Sequence, residues 1–483
     1  MAAIIVGGGY SGLLAARTLL ADSRFSGEIY LLEHSHTWGG LLGSTEHKEG
    51  GIFDHGFHVL QDTEISFLNK IMRSVLPDSA WLVKRGTEQE IRGLFAQGAL
   101  QSSSPYCDLR SFTSTVQAAA RADFYHNISQ QSRKEFVGKL AVPPSAYAYL
   151  QQRFGEYIAK NILQAPLSKL FGKEASALHP YCCRLLPLDR IGLFSNAEIT
   201  SLPLAYQAYV LATSETGLPP AHLAATRDRY YPHRYGMKFM IEAMLGQFPS
   251  QRVKLLSNTR VTQIHQHPSR GVDAIELAQP GHKTMLTNVD LLIWTGGIAP
   301  LARLLKVEAA QQFELEQGPR TTIVNLLFDR PDTLQGLCYA YCYEEDFTSF
   351  RLCSPANLCP DAVRRGLYPF TVETIQGVSA AQPTSPAALI KQVVAEAKQL
   401  GALHPSSQLR WAEVLPLGTG YPLPSLENIE TICQLRREVE ALELSNLLMV
   451  GAMARDNLFF QNDVFTHCYQ QVDNFMSFTK GRS

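Results

Sequence analysis

Three glycines near the start of the chain, Gly7-x-Gly9-x-x-Gly12, and an acid about twenty residues further on, Glu33, have the types and spacing that hold a dinucleotide. Gly7 permits a tight turn, Gly9 lets the backbone approach a pyrophosphate, and Gly12 lets a helix pack closely on the preceding strand. A helix opening there presents the N–H groups of Tyr10 and Ser11 to an anion. A carboxylate at Glu33 accepts hydrogen bonds from ribose hydroxyls and repels a 2′-phosphate, which disfavours NADP. A purely structural turn would use the same glycines. The flanking pattern favours the nucleotide.

That pattern is β-turn-α-β. Ala3–Val6 is a short apolar run; Leu13, Leu14, Ala16, Arg17 and Leu20 follow at helical spacing. Glu28–Leu32 is a second apolar run ending at Glu33, so the chain opens as a doubly wound parallel sheet. Strand patterns return at Val253–Leu256, Val261–Ile264 and Asp290–Trp294, the last running into Thr295-Gly296-Gly297, and again at Leu447–Val450 before Gly451. Asn462 or Asp463 is placed to cap a final helix whose N-terminus can face an anion.

Two long insertions separate these segments. Residues 72–227 read as mainly helical. Residues 305–440 mix strands, Thr321–Phe328 and Leu367–Thr374, with helices starting at Ser385-Pro386 and at Ser425. The expected fold is therefore α/β: a discontinuous Rossmann-like domain from 1–71, 228–304 and 441–483, with an inserted mixed α+β substrate or cap domain from 72–227 and 305–440. The active site would lie where the insertions leave and re-enter the sheet.

Bulk properties narrow the function. The 483 residues exceed what one hydrophobic core usually serves, and 45% apolar against 18% charged content suits a packed enzyme. A formal charge of −1 with no basic run argues against nucleic-acid binding. No apolar stretch approaches the ~20 residues of a membrane helix, and residues 2–20 lack a basic leader, so a cytoplasmic protein is expected. Nine scattered cysteines form no CxxC pairs and read as buried small hydrophobes, with no disulfide framework and no metal site.

Further patches, in order, resemble the flavin amine-oxidase superfamily, and within it the UDP-galactopyranose mutase family. They are Gly7–Gly12, Phe57-His58 with Glu64, a faint echo at Leu167–Gly172, Pro232–Gly236, Trp294–Gly297, and Tyr421-Pro422-Leu423-Pro424 with Asn428. The resemblance implies FAD as cofactor. It makes Gly39, Gly40, Val261, Thr295, Gly296 and Gly451 further contacts to it, alongside Gly7, Gly9, Tyr10, Ser11, Gly12 and Glu33. Asn462 and Asp463 would then stand at a helix end aimed at the flavin pyrimidine. His58 would lie over the isoalloxazine, tuning it or moving a proton; a histidine hydrogen-bonded at a strand edge is the other reading.

The chain departs from the family near its C-terminus. Ala452 stands where the family has arginine, and Phe459 and Phe460 where it has phosphate-binding tyrosines. Arg184, Arg190 and Arg455 are the available replacements, with Tyr231 and Tyr421 as further substrate candidates. Three functions follow. The first is flavin-mediated redox or isomerisation of a nucleotide-linked or related sugar. The second is an amine-oxidase or desaturase reaction. The third is a non-catalytic binder of the same architecture, as in the GDP-dissociation inhibitors, which an intact Gly12 and Glu33 oppose. The partner expected is a small molecule; oligomeric state is not legible.

Overall fold

The computed structural model describes residues 1–48, 51–85, 92–102, 104–136, 143–207, 209–210, 227–267, 271–376, 385–418, 422–456 and 458–480. Five parallel strands form the first sheet, in the spatial order Val253–Leu256, Glu28–Leu32, Ala2–Val6, Leu291–Trp294, Leu447–Met449. Ala3 to Val6 pair in register with Leu291 to Trp294 on one side and with Ile29 to Leu32 on the other. Leu291–Trp294 is buried along its whole length, as a strand covered on both faces must be.

The order has a physical consequence. Successive strands are added to one side of Ala2–Val6 and then, from Leu291–Trp294 on, to the other, and a crevice opens beyond the carboxyl ends of strands at such a switch point. Gly7 and Thr295 are the next residues of those two strands. The sheet thus draws on three distant stretches of chain, as the apolar runs indicated.

An antiparallel meander, Arg260–His267, Gly271–Gln279 and His282–Thr287, interrupts the sheet's sequence. A second large sheet holds seven strands, in the order Leu409–Gly418, Arg320–Phe328, Tyr368–Gln376, Ser349–Cys353, Tyr339–Cys342, Arg92–Ala96, Ala99–Gln101. Its two faces differ by the period of two. Ala340, Cys342, Leu352, Phe370 and Val372 pack with the helix Pro386–Gln399, while Tyr339, Tyr341 and Arg351 line a cleft.

The region 72–227 is less helical than its composition suggested. It contributes Trp81–Lys84, Arg92–Ala96, Ala99–Gln101 and Cys107–Asp108 as strands. The hairpin closes on Gln97-Gly98, both at positive φ (55° and 71°), which is the two-residue turn that matches strand twist. Gln in place of the usual Asn or Asp hid it. The last helix runs Gln461–Lys480, and the N–H of Val464 bonds the Phe460 carbonyl. Asn462 and Asp463 therefore sit in its first turn rather than capping it. All nine cysteines are free thiols, eight of them buried. Among the described residues, no helix is long and apolar enough to cross a membrane.

Candidate functional site

The glycine turn is built as its residue types require. Gly7 lies at φ +109°, and a Cβ there would meet Thr295 Oγ1 at 2.0 Å. Thr295 donates from Oγ1 to the Val6 carbonyl at 2.8 Å, and Gly451 at φ +104° would press its own Cβ onto the Thr295 carbonyl. The ends of three neighbouring strands thus interlock around Thr295. A Cβ on Gly12 would stand 2.0 Å from the Gly7 carbonyl oxygen, which reflects the close helix–strand packing expected of that position.

Gly9 differs from these. A Cβ there meets no atom of the described residues within 4 Å, and its backbone is extended, with φ −70° and ψ 173°. It precedes the twelve-residue helix Tyr10–Ala21, which has no side-chain cap and no acid in its first turn. Open space in front of an uncapped helix N-terminus is a cradle an anion would fill. The second glycine pair closes against it: Gly39 bridges Gly9 and donates its N–H to the Gly8 carbonyl at 2.9 Å, and a Cβ on Gly40 would stand 3.2 Å from Gly9 Cα.

Glu33, buried at the end of its strand, ties these parts together. One carboxylate oxygen accepts from Gly8 N at 2.8 Å and the other from Ser35 N at 2.8 Å, with His34 Nδ1 at 2.9 Å. Each oxygen has two lone pairs, so capacity remains for a ribose hydroxyl. Sequence reasoning passed over Gly8. Its Cβ would strike the Trp38 ring at 2.5 Å, so this position too requires glycine.

A cleft of about 450 Å³ opens beside the last helix. Phe57–Val59, Gln61 and Arg229 line it from one side and Phe460–Asn462 from the helix start. Arg92, Arg184, Asp189, Tyr339, Tyr341 and Arg351 come from the insertions. A second cavity of about 250 Å³ begins at Leu41, immediately after Gly39-Gly40, and shares His58 and Arg351 with the first. His58 stands between the two.

The electrostatics of His58 follow from its surroundings. Burial, and then the Arg351 charge, pull its pKa from 6.5 down to about 4, so it is neutral at physiological pH. Its Nε2 lies 3.2 Å from the His55 carbonyl, which can only accept. Nε2 therefore carries the proton and Nδ1 keeps a lone pair. Half-buried Arg351 and buried Glu373 form an ion pair at 2.5 Å on neighbouring strands. Burial opposes the charge on Arg351, but Glu373 holds its pKa well above the ordinary value.

His467, on the last helix, is also buried, and neither ring nitrogen has a hydrogen-bond partner among the described residues. Burial, and then Arg455, bring its pKa from 6.5 to about 4. Both histidines are neutral in the fold, while the unfolded chain takes up protons below pH 6.5. Stability is thus fully present above that value and falls as the pH drops toward about 4. Melting temperature across this window should decline, and His58→Gln and His467→Gln should each flatten the decline. A slope unchanged in both variants would show that other groups cause it.

The structure sorts the remaining candidates. Arg184 lines the cleft, its guanidinium over the Phe460 ring at 5.3 Å. Asn462 lines it too and donates from Nδ2 to the Asp62 carbonyl at 3.0 Å. Arg190 does not; it lies over the Tyr106 ring at 5.4 Å. Arg455 is exposed and Asp463 is in the helix's first turn, and neither is among the cleft's lining residues. Tyr231 is corrected: it is 2% exposed and donates to Asp54 Oδ2 at 2.6 Å, anchoring Asp54, which in turn accepts from Met237 N at 2.9 Å. Tyr421 lies outside the described residues. The Tyr10 ring packs on Phe465, centroids 4.5 Å apart, leaving only its backbone for a ligand. Ser11 sits at the helix start, its carbonyl 3.4 Å from Cys468 Sγ. Val261 is half-buried in the meander, opposite Leu277. Gly296 follows Thr295, and a Cβ there would stand 3.1 Å from the Trp294 ring.

The charged residues of the two cavities that were not anticipated are Arg92, Asp189, Arg229 and Arg351 of the cleft and Glu373 of the second cavity. A signal existed for two of them: Arg351 and Glu373 are each the one charged residue of their strand, and opposite charges inside strands call for each other.

A family model for an NAD(P)-binding Rossmann-like domain matches residues 5–73. Comparison with curated protein sequences gives no match. Among solved structures, reduced UDP-galactopyranose mutase is similar over 99% of this chain and 95% of its own, with a TM-score of 0.73 at 16% identity. An Exiguobacterium sp. 255-15 protein assigned as a protoporphyrinogen oxidase aligns over 100% of this chain and 99% of its own, at 0.67 and 14%. A fatty acid isomerase from P. acnes described as CLA-producing covers 98% of each chain, at 0.56 and 12%. The chain therefore carries a Rossmann-like domain at residues 5–73, and from end to end it has the fold of these structures.

Proposed function

We propose that the chain is an FAD-dependent enzyme acting on an anionic small molecule, with a nucleotide-linked sugar as the substrate class. The observation that carries this is the cleft's charge. Four guanidiniums, of Arg92, Arg184, Arg229 and Arg351, line it against Asp189 and, behind Arg351, Glu373. Guanidinium groups bind phosphate through paired, charge-assisted hydrogen bonds. They also make up for the arginine replaced by Ala452 and repel a protonated amine, which disfavours the amine-oxidase reading.

FAD fits the residues present. Gly9 and the uncapped helix start would take the pyrophosphate, Glu33 the adenosine ribose, and the cavity from Leu41 to His58 the ring portion. When bound, flavin supplies hydride or nucleophilic chemistry that no side chain here offers. The chain's own residues position the substrate, through the arginines and the Tyr339 and Tyr341 rings, and accept a proton or hydrogen bond at His58 Nδ1. The proposed division keeps 1–71, 228–304 and 441–483 as the FAD-binding part and 72–227 with 305–440 as the cap, both of which line the cleft.

The test is binding and turnover by flavin-loaded protein. UDP should bind, more weakly as salt rises, and UDP-galactopyranose should be converted only after dithionite reduction. Failure to bind UDP, together with peroxide release from amines, would overturn this reading in favour of an oxidase.

A further inference from the structure

The turn between strands Tyr339–Cys342 and Ser349–Cys353 is held from two sides. On one side Lys169, from the helix Gln164–Phe171, donates from Nζ to the carbonyls of Cys342 at 2.9 Å, Glu344 at 2.6 Å and Ser349 at 2.9 Å. All three ammonium protons are used. On the other side Glu396, from the helix Pro386–Gln399, accepts from Thr348 N at 2.9 Å, and from Ser349 N at 2.8 Å and its Oγ at 2.5 Å. A cation takes the turn's carbonyls and an anion its amides.

A lysine in the last turn of a helix would ordinarily extend into water, near its own helix's free carbonyls. Lys169 instead reaches into a strand connection more than 170 residues away in sequence. The clamped strands carry Tyr341, one residue before Cys342, and Arg351, two residues after Ser349, and both line the cleft. The neighbours of Lys169 on its helix, Leu170 and Phe171, line the second cavity. One residue therefore couples the helical insertion to the strands that shape both cavities.

We propose that Lys169 is a positioning residue: its ammonium, caged by three carbonyls, fixes the 343–348 turn and so places Tyr341 and Arg351 in the cleft. This rests on the cleft reading given above. The cage is also a small cation site in its own right, because three oxygens converge on one point at distances that suit ammonium. A planar guanidinium cannot meet three converging carbonyls in that way.

The test uses the full-length, flavin-loaded chain with Lys169→Ala, Lys169→Met as a variant that keeps the apolar stem, and Lys169→Arg. Amide exchange should quicken roughly tenfold or more in residues 343–353 and stay unchanged at Gly7–Gly12. UDP affinity should fall by about tenfold. Ammonium chloride should restore much of both losses in Lys169→Ala, sodium chloride at equal ionic strength should not, and Lys169→Arg should not substitute. Unchanged exchange in 343–353, parental UDP affinity in the variants, or exchange quickened over the whole chain would each overturn the proposal. If the parent itself binds no UDP, the cleft reading fails, while the exchange measurements and their ammonium rescue still decide the role of Lys169.

Discussion

A Gly9→Ser protein should fold as the parent does and lose FAD. The position is an N-cap with extended backbone, where serine is at least as favourable as glycine, so apo stability should change by no more than about 0.5 kcal/mol. The new side chain enters space that no described protein atom occupies within 4 Å. Whatever it displaces is ligand. A penalty of ~3 kcal/mol there lowers affinity on the order of 100-fold, enough for the protein to purify without flavin. Gly12→Ala makes the contrast, because its Cβ would lie 2.0 Å from the Gly7 carbonyl and the fold itself would suffer. Flavin titration and denaturant unfolding on both variants check the pair. Gly9→Ser protein that kept stoichiometric flavin would place the pyrophosphate elsewhere.

Arg351→Gln should be the most destabilising substitution in the cleft. It leaves Glu373, 6% exposed, without the guanidinium it pairs with at 2.5 Å, and breaking a buried pair by removing one partner costs about 3–5 kcal/mol. Replacing both partners, Arg351→Met with Glu373→Leu, should recover most of that stability, since no buried charge remains stranded. It should not recover binding of an anionic ligand. The double-mutant cycle separates the structural from the binding contribution of Arg351. A single variant as stable as the parent would mean that water already screens the pair.

Much of the fold was legible because its signals are local. Ala3–Ile5 and Leu291–Trp294 are buried on both faces, Ile29–Leu32 and Leu447–Met449 are buried or half-buried, and all four read as apolar runs wherever they stand in the chain. The Gln97-Gly98 hairpin was not legible, since its turn uses an uncommon residue and its strands gain a sheet only by pairing with Tyr339–Cys342, some 240 residues later. The glycine turn could be read for the same local reason as the strands. The charge of the cleft could not. Arg92, Arg184, Arg229 and Arg351 come from four separate stretches, two strands of one sheet, a strand of another and a short helix, and meet only in the tertiary fold. Tyr231 looks alike in sequence whether it faces a ligand or, as here, donates to a buried aspartate.

The flavin content of the purified chain tests the central claim most directly. The expected result is yellow protein, or protein that turns yellow on incubation with FAD, releasing on denaturation an equimolar amount of FAD. Folded, colourless protein that takes up no FAD but binds a nicotinamide dinucleotide at the Gly7–Gly12 turn would contradict it.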